Sequence, residues 1–281
     1  LKSGLGHVGK DPTSVVFDRL NSATEGVVDG RITILAGTNN YLGLTFDPDC
    51  IAAGVAAMQS QGTGTTGSRM ANGSYAAHGA LEAELADLYQ CSNALVFSTG
   101  YAANLGVLMA LLGKGDAVLL DSDAHASLYD GCRMTEADIY RFKHNDVTSL
   151  ERRMTRLGER ARRCLIIVEG VYSVLGDRAP LKEIAEIKER FGARLLVDEA
   201  HSLGVYGERG CGVAEEQGVL DKVDFTVGTF SKSLGAMGGF CVSNHDVLGL
   251  FRYVSRPFMF TASPSPAVMA TTREALKQLR K

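Results

Sequence analysis

The sequence of 281 residues lacks the patterns that mark several common classes of protein. Its apolar runs are interrupted by Gly, Asn, Lys or Asp well before the roughly 20 residues that cross a bilayer. A formal net charge of −3, without an evident basic stripe, argues against nucleic acid as a partner. The sequence has no G-x-x-x-x-G-K-[ST] loop for phosphates and no H-E-x-x-H spacing of metal ligands. We therefore expect a soluble globular protein with no transmembrane segment, no nucleic-acid partner and no metal.

The cysteines and the first residues of the chain give few signs of secretion. No C-x-x-C pair is present, which argues against a zinc ribbon or a small disulfide scaffold. We expect reduced thiols in a cytoplasmic protein at all six positions, Cys50, Cys91, Cys132, Cys164, Cys211 and Cys241. Residues 1–10 have no apolar core, so we expect no signal peptide, and the absence of an initiating Met leads us to expect a trimmed chain.

Short apolar runs alternate with helical patterns along the chain. Buried strands are predicted at ALVF (94–97), AVLL (117–120), CLIIV (164–168), RLLVD (194–198), DFTVG (224–228) and GGFCVS (238–243). Between them, Leu81, Leu85 and Leu88 follow helical spacing, as do Leu181, Ile184, Ile187 and Phe191. Alternation of this kind predicts a three-layer α/β/α sandwich around a mostly parallel sheet. At 45% hydrophobic residues, the chain can bury one large core.

Two segments, LLVDEAHS (195–202) and VGTFSKSLGAMGG (227–239), carry residues suited to holding pyridoxal phosphate. A lysine amine with a lowered pKa condenses with an aldehyde, which makes Lys232 the candidate for a Schiff base. Asp198 ends an apolar strand and can pair with the pyridine nitrogen, so that the ring accepts electrons. His201, on the turn that follows, can donate a hydrogen bond to the phenolic oxygen of the cofactor. The interval between Asp198 and Lys232 leaves room for one helix and one strand, so both can return to one end of a parallel sheet.

Other interpretations of these letters remain open at this point. DEAH is also the magnesium-binding box of some helicases, but these proteins need the phosphate loop that is missing here. Asp198 and His201 alone are more often a satisfied polar pair than a catalytic one. The lysine between two serines, followed by Gly238 and Gly239, favours the cofactor site.

A phosphate site is predicted at FSTGYAANLG (97–106), where a strand ends before an apolar helix. Amides at a helix N-terminus attract phosphate, and Gly100 lets the backbone approach it. Thr229 and Ser231 can donate hydroxyl groups from the other side. An ordinary helix cap is an equally good interpretation of this segment alone.

The segment QGTGTTGSRMANG (61–73) contains a formal G-x-G-x-x-G, but it follows a helical pattern instead of a strand. We therefore reject a dinucleotide site and expect a loop that is either simply mobile or closes over the pocket. His125 follows a predicted strand end and can stack on the pyridine ring, although a lone loop histidine is usually only a surface residue. His7, His144 and His245 have no supporting pattern.

Together the motifs closely resemble those of the alpha-oxoamine synthases over nearly the whole chain. The matching segments are NNYLGL (39–44), GTGTTGSRMANG (62–73), STGYAANLG (98–106), DAHAS (123–127), EGVYSVLGDRAPL (169–181), VDEAHSLG (197–204) and GTFSKSLGAMGG (228–239). The resemblance implies the large domain of pyridoxal-phosphate-dependent transferases of fold type I, with a seven-stranded, mostly parallel sheet. It also implies homodimers that share active sites, and an acyl transfer that joins an amino acid to an acyl-CoA with loss of carbon dioxide.

The resemblance implies roles for individual residues. Lys232 is the Schiff-base residue, Asp198 the pyridinium partner, His201 the donor to the phenolic oxygen and His125 the stacking residue. The implied phosphate ligands are Gly100, Tyr101, Thr229 and Ser231, with Thr261 reaching the phosphate of the neighbouring subunit. Asn40 is implied at the active site, where it and His125 contact the substrate.

Within the family, Ser231 before the lysine, GVYSVLGDRAPL and RPFMFTASPSP (256–266) resemble the branch of bacterial serine palmitoyltransferases. This branch implies L-serine and a long-chain acyl-CoA as substrates, in the cytoplasm or at the periphery of the inner membrane. Branches that use glycine or alanine with another acyl-CoA share these motifs, and a non-catalytic partner subunit is a third alternative. We expect an N-terminal segment (1–45), a cofactor-binding large domain (46–255) and the start of a connection (256–281), with a C-terminal small domain largely absent.

Overall fold

The computed structural model describes residues 15–281. The expectation of no signal peptide concerns residues 1–10, and His7 lies among them; both are outside the described part of the chain. A small antiparallel sheet comes first and consists of β1 (Phe17–Leu20), β2 (Glu25–Val28) and β3 (Arg31–Ile34). The sequence analysis did not predict these three strands.

The main sheet has seven strands and is mostly parallel, as predicted. They are β4 (Asn93–Phe97), β5 (Ala117–Asp121), β6 (Asp138–Phe142), β7 (Cys164–Glu169), β8 (Arg194–Asp198), β9 (Phe225–Thr229) and β10 (Gly239–Ser243). Their spatial order is β4-β10-β9-β8-β7-β5-β6. β10 runs antiparallel to both β4 and β9, while the pairs from β9 to β6 are parallel. The six predicted strands are confirmed to within two residues; β6 was missed.

Helices cover both faces of the sheet. They are α1 (Pro48–Gln61), α2 (Ala76–Tyr89), α3 (Gly100–Leu111), α4 (Ala126–Arg133), α5 (Val147–Leu157), α6 (Leu181–Phe191), α7 (Val213–Glu216), α8 (Val247–Val254), α9 (Arg256–Met259) and α10 (Pro266–Leu279), with 3-10 turns at Leu44–Phe46, Gly158–Arg163 and Leu220–Lys222. The helical spacing read from the leucines therefore predicted α2 and α6 correctly. None of the helices in residues 15–281 is long and apolar enough to cross a membrane.

The core alternates across the sheet, which confirms the three-layer α/β/α architecture. On β7, Leu165 and Ile167 pack with α3, α4 and α8, whereas Ile166 and Val168 face α5 and α6. A third cluster joins α1, α2 and α10 to the β4 and β10 end of the sheet. Strands buried on both faces read as continuous apolar runs, which is why they were visible in the sequence. The proposed domain limits at 45/46 and 255/256 stay predictions.

The topology brings several polar residues to one edge of the sheet. Glu169, Asp198 and Thr229 are the last residues of β7, β8 and β9. Because β10 is antiparallel, Gly239 at its beginning pairs with Thr229 and lies at the same edge. α3 starts directly beyond the end of β4, and its first residue, Gly100, also meets this edge. Ligands of open α/β sheets bind at the carboxyl ends of the strands.

Candidate active site

A cavity of about 270 Å³ lies at this edge of the sheet. Its volume is just below the roughly 300 Å³ at which pockets for small ligands begin. Eight residues predicted from the sequence line it: Gly100, Tyr101, His125, Asp198, His201, Thr229, Ser231 and Lys232. Thr99, Asn104, Ser127, Glu169, Ala200, Val227 and Gly228 complete the lining. The two motifs that looked like a cofactor site therefore do meet in one place.

Lys232 lies on the connection between β9 and β10. The connection is closed by the Phe230 amide, which donates to the Gly238 carbonyl at 3.0 Å. Gly238 has φ of 134°, and a Cβ there would lie 2.6 Å from the Phe230 ring, so a larger residue would be strained. Burial lowers the pKa of the Lys232 amine, although the Asp198 and Glu169 carboxyl groups act in the opposite direction. The lowered pKa makes the neutral amine, the form that acts as a nucleophile or base, more accessible than it is for a lysine in water.

The side chain of Asp198 is buried and held by two donors. Its Oδ1 accepts from the Ala200 amide at 2.9 Å, and its Oδ2 accepts from Nδ2 of Asn104 at 2.7 Å. Asn104 comes from the first turns of α3, and its own Oδ1 is buried without a hydrogen-bond partner. The carboxylate therefore has a fixed direction within the cavity.

His201 is oriented by a residue from the N-terminal part of the chain. The Tyr41 hydroxyl lies 2.7 Å from Nδ1 of His201. Burial, and then the nearby Lys232 amine, lower the pKa of His201 to about 4. The Tyr41 hydroxyl has one proton and two neighbouring acceptors, since it also lies 3.1 Å from Oδ1 of Asn39. When that proton is donated to Nδ1 of the neutral His201 ring, the ring proton lies on Nε2. His201 can then act as a donor from Nε2.

His125 caps the N-terminus of α4 and is held at two points. Its backbone amide donates to Oε1 of Glu169. Its Nδ1 lies 2.7 Å from the Ser127 hydroxyl, which in turn accepts from Nδ2 of Asn104 at 2.9 Å. Asn104 also donates to Asp198, so a chain of hydrogen bonds runs from Glu169 around the cavity to Asp198. Glu169 and Asp198 are register partners on β7 and β8, which closes the circuit.

The N-terminus of α3 and the end of β9 form a close polar cradle. The Thr99 hydroxyl accepts from the Ala102 amide at 2.9 Å, which leaves the Gly100 and Tyr101 amides without a partner inside the helix. A Cβ on Gly100 would lie 2.8 Å from Cβ of Thr229, so only glycine fits there. The helix-cap interpretation of this segment is therefore confirmed by Thr99, and the phosphate site stays a prediction.

Two hydroxyl groups face each other on the second side of the cradle. Thr229 donates its hydroxyl proton to the Gly238 carbonyl at 2.8 Å, and the Ser231 hydroxyl lies 2.9 Å from Oγ1 of Thr229. Tyr101 is 45% exposed, and its hydroxyl donates to Asp130, outside the cavity. Ser231 therefore has the freer hydroxyl of the two predicted donors.

Two predicted residues do not line the cavity in this single chain. Asn40 donates from Nδ2 to the Thr45 hydroxyl at 2.7 Å, while its Oδ1 is buried without a partner. Thr261 follows α9 and was expected to act in a neighbouring subunit, so its role stays a prediction. The glycine-rich loop at 61–73 packs on Ser263 through Thr65 and Gly73 and is not among the lining residues.

His144 has partners that the sequence did not indicate. Its Nδ1 lies 2.9 Å from Oδ1 of Asp121 and its Nε2 lies 2.9 Å from Oδ2 of Asp177. Asp121, Asp123 and His144 bring their potential ligand atoms within 4.8 Å of one another. These hydrogen bonds raise the pKa of His144, although burial of the ring acts in the opposite direction. Both ring nitrogens of His144 therefore have a carboxylate partner, and the residue belongs to a satisfied polar network.

Sequence reasoning missed four functional candidates: Tyr41, Asn104, Ser127 and Glu169. Each lies inside a motif that was quoted, yet none was given a role. Glu169 could have been found, because it directly follows a predicted strand, and the neighbouring strand carries Asp198. Tyr41 could not, since only the tertiary fold brings it to His201.

Comparison with known proteins gives the family. Residues 31–281 match the protein family described as "Aminotransferase class I and II". Serine palmitoyltransferase of Caulobacter vibrioides is 60% identical over 97% of this chain and 67% of that protein. The chain belongs to the aminotransferase class I and II family. Within it, the chain is an alpha-oxoamine synthase family member, as its motifs predicted.

Two further proteins of the family are similar to this chain. A solved structure of a serine palmitoyltransferase variant from S. paucimobilis, with bound PLP and myriocin, is 49% identical and superimposes with a TM-score of 0.96. The alignment covers 99% of this chain and 70% of that one. The 8-amino-7-oxononanoate synthase of Geobacter metallireducens is 42% identical over 91% of this chain and 65% of that protein. The chain thus spans about two thirds of the length of these relatives.

Proposed function

We propose that the chain binds pyridoxal phosphate and catalyses a decarboxylating condensation of L-serine with a long-chain acyl-CoA such as palmitoyl-CoA. The products are 3-oxosphinganine, coenzyme A and carbon dioxide, which is the first step of sphingolipid synthesis. The observation that carries this proposal is the convergence of Lys232, Asp198, His201 and the Gly100 cradle on one cavity. The 60% identity to a serine palmitoyltransferase supports the choice of substrates.

The cavity fits the cofactor in its donor set. The partnerless amides of Gly100 and Tyr101 lie at the start of a twelve-residue helix, where a phosphate is favoured. Because Gly100 has no Cβ, its backbone lies close to Thr229, and both residues can contact the same phosphate. Asp198 offers a fixed carboxylate to a ring nitrogen, and His201 offers an Nε2 proton to a ring oxygen. When bound, pyridoxal phosphate supplies an aldehyde for linkage to an amine and a ring that takes up electrons from the adjacent carbon.

Each residue of the cavity has its own role in the proposed reaction. Lys232 would hold the cofactor through its amine, and the free Nζ would serve as the base for the proton on Cα of serine. Asp198 would hold a proton on the ring nitrogen, which would strengthen the ring as an electron acceptor. Asn104 and the Ala200 amide fix Asp198 for this task.

His125 and His201 orient the reactants. His125 has Nδ1 occupied by Ser127, so its proton is on Nε2, where it can donate to the serine carboxylate or to the oxyanion that forms at the acyl carbonyl. A preorganised donor of this type contributes about 3 kcal/mol to the transition state. His201 holds the ring in place from the side of the phenolic oxygen. Asn40 is proposed as a further substrate contact.

We also propose that the protein is a homodimer with shared active sites, in which Thr261 reaches the phosphate of the neighbouring subunit. Exposed apolar side chains on the small sheet support an interface: Leu20, Ile32 and Ile34 are 50%, 71% and 79% exposed. Six free cysteines agree with a reducing compartment. We place the protein in the cytoplasm, with contact to the inner membrane surface as the route by which a long acyl chain arrives.

The test is a pair of lysine variants. Lys232→Ala should abolish the imine absorbance band that the wild-type protein gains with pyridoxal phosphate, whereas Lys182→Ala, on the exposed surface of α6, should keep it. A Lys232→Ala protein that retains both the band and turnover would refute the assignment. The second candidate is the reaction of 8-amino-7-oxononanoate synthase, because one such enzyme is 42% identical to this chain. Spectral titration with serine, glycine and alanine, followed by a product assay, distinguishes the two reactions.

A further inference from the structure

Glu169 is a carboxyl group in the cavity that the proposed reaction does not use. It ends β7, is 2% exposed, and lies beside Asp198 as its register partner on β8. Two buried carboxylates at neighbouring strand ends repel each other if both are ionised. One of them therefore has a reason to remain protonated.

The contacts of the two carboxyl groups differ. Asp198 receives a side-chain donor, Nδ2 of Asn104, together with the Ala200 amide. Glu169 receives the backbone amide of His125 on Oε1. A neutral carboxylic acid can still accept such a bond through its carbonyl oxygen, so this contact survives protonation.

We propose that Glu169 is a positioning residue with two tasks: it holds the His125 backbone over the cavity, and it leaves Asp198 as the ionised carboxylate of the pair. This proposal rests on the proposed binding of pyridoxal phosphate. It assigns to Glu169 no contact with substrate. It makes the hydrogen-bonded circuit through His125, Ser127 and Asn104 a device that separates the charges of two adjacent acids.

The electrostatics of the site agree with this role. Burial, followed by the charge of Asp198, raises the pKa of Glu169 to about 8. The His125 and Ser173 amides and the Lys232 amine act in the opposite direction, and the Tyr172 hydroxyl interacts electrostatically with the same carboxyl group. Burial and the neighbouring Asp198 carboxylate thus both favour the protonated form of Glu169.

The first experiment compares Glu169→Gln, Glu169→Ala and, as a matched control on the exposed face of α6, Glu186→Gln. Glutamine keeps the oxygen that accepts from His125 and stays neutral at every pH. We expect the dissociation constant for pyridoxal phosphate to change less than about threefold in Glu169→Gln and to rise about tenfold in Glu169→Ala, because the His125 amide loses its acceptor. Equal constants for the two Glu169 variants would overturn the positioning of His125.

The second experiment follows the visible absorbance of the bound cofactor between pH 6 and 10 without substrate. In the wild type, ionisation of Glu169 near pH 8 places a negative charge beside Lys232, which retains the proton on the lysine–cofactor linkage to higher pH. We expect the spectral transition of Glu169→Gln to fall by about one pH unit relative to the wild type and to the control. Superimposable transitions would overturn the charge-separating role.

A third measurement separates failure of this proposal from failure of cofactor binding. In the cofactor-free chain, the raised pKa of Glu169 stabilises the folded state fully when the pH is below 4.5, the ordinary pKa of a glutamate. This contribution is lost as the pH rises to about 8. The unfolding constant of the wild type should therefore rise relative to that of Glu169→Gln, by up to about tenfold per pH unit in that interval. A constant ratio would refute the protonated state even if pyridoxal phosphate did not bind at all.

Discussion

Tyr41 and His201 are 160 residues apart in the chain, yet the Tyr41 hydroxyl lies 2.7 Å from Nδ1 of His201. The contact joins the segment before α1 to the turn after β8. Because burial keeps the His201 ring neutral near pH 7, the direction of this hydrogen bond sets which ring nitrogen carries the proton, and Oδ1 of Asn39 at 3.1 Å is the other acceptor for the Tyr41 hydroxyl. The orientation of a catalytic candidate thus depends on a residue that has no direct place in the cavity lining.

Tyr41→Phe should lower kcat/KM about two- to tenfold, which is the effect of one lost hydrogen bond of about 0.5–1.5 kcal/mol. Steady-state kinetics and the affinity for pyridoxal phosphate measure it. Tyr253→Phe is the matched control, since Tyr253 is 67% exposed on α8. Equal kinetics for both variants would show that Tyr41 does not set the state of His201.

Gly100→Ala should weaken binding of pyridoxal phosphate by at least about tenfold, because the new Cβ would lie 2.8 Å from Cβ of Thr229 and would separate the two sides of the cradle. Gly79→Ala is the control, since its Cβ would meet no atom within 4 Å on α2. That control should gain about 0.5–1 kcal/mol in the free energy of unfolding. Calorimetric titration with the cofactor and denaturant unfolding test both expectations, and unchanged affinity in Gly100→Ala would exclude the phosphate site.

Asn104→Ala should raise the dissociation constant for pyridoxal phosphate roughly 10- to 100-fold. Asn104 is 2% exposed and donates to the Asp198 carboxylate at 2.7 Å, and a hydrogen bond to a charged group contributes about 1.5–3 kcal/mol. Asn21→Ala, on the exposed turn between β1 and β2, should leave the constant unchanged. If both variants bind equally well, Asp198 does not need Asn104 to face the ring.

The stability of the cofactor-free protein should depend on His201 at acidic pH. The folded pKa of about 4 is below the ordinary value of 6.5, so the folded state binds fewer protons than the unfolded state between these values. The free energy of unfolding should therefore decrease as the pH falls from about 6.5 to about 4. In denaturant titrations, the free energy of unfolding of His201→Gln should decrease less steeply over this pH range than that of the wild type or of His245→Gln. Parallel profiles for the three proteins would contradict the lowered pKa of His201.

The fold was largely predictable because its central strands are buried on both faces. RLLVD and CLIIV have no polar alternation, and they gave the limits of β8 and of β7 to within one residue. β6 was missed because DIYRF (138–142) mixes polar and apolar residues at the edge of the sheet, where only part of the strand is buried. The small sheet at 17–34 was missed for the same reason: β1 is exposed throughout.

The site was predictable where the chemistry needs a distinctive residue in a distinctive place. Lys232 and Asp198 satisfied that condition together, because a lysine between two serines and an acid at a strand end lie at a separation that returns both to one edge of the sheet. Asn104 and Glu169 act through those residues, so their letters alone gave no reason to select them. The antiparallel direction of β10 was likewise hidden, since an apolar run does not record which way its strand points.

The reversed direction of β10 fixes the length of the segment that carries Lys232. Thr229 and Gly239 pair across adjacent strands, so residues 230–238 form a closed arch with both ends anchored in the sheet. One residue inserted or deleted there would either break this register or turn the amine away from the cavity. Length variation among relatives should therefore be absent from this arch and accumulate in connections that the sheet does not anchor at both ends.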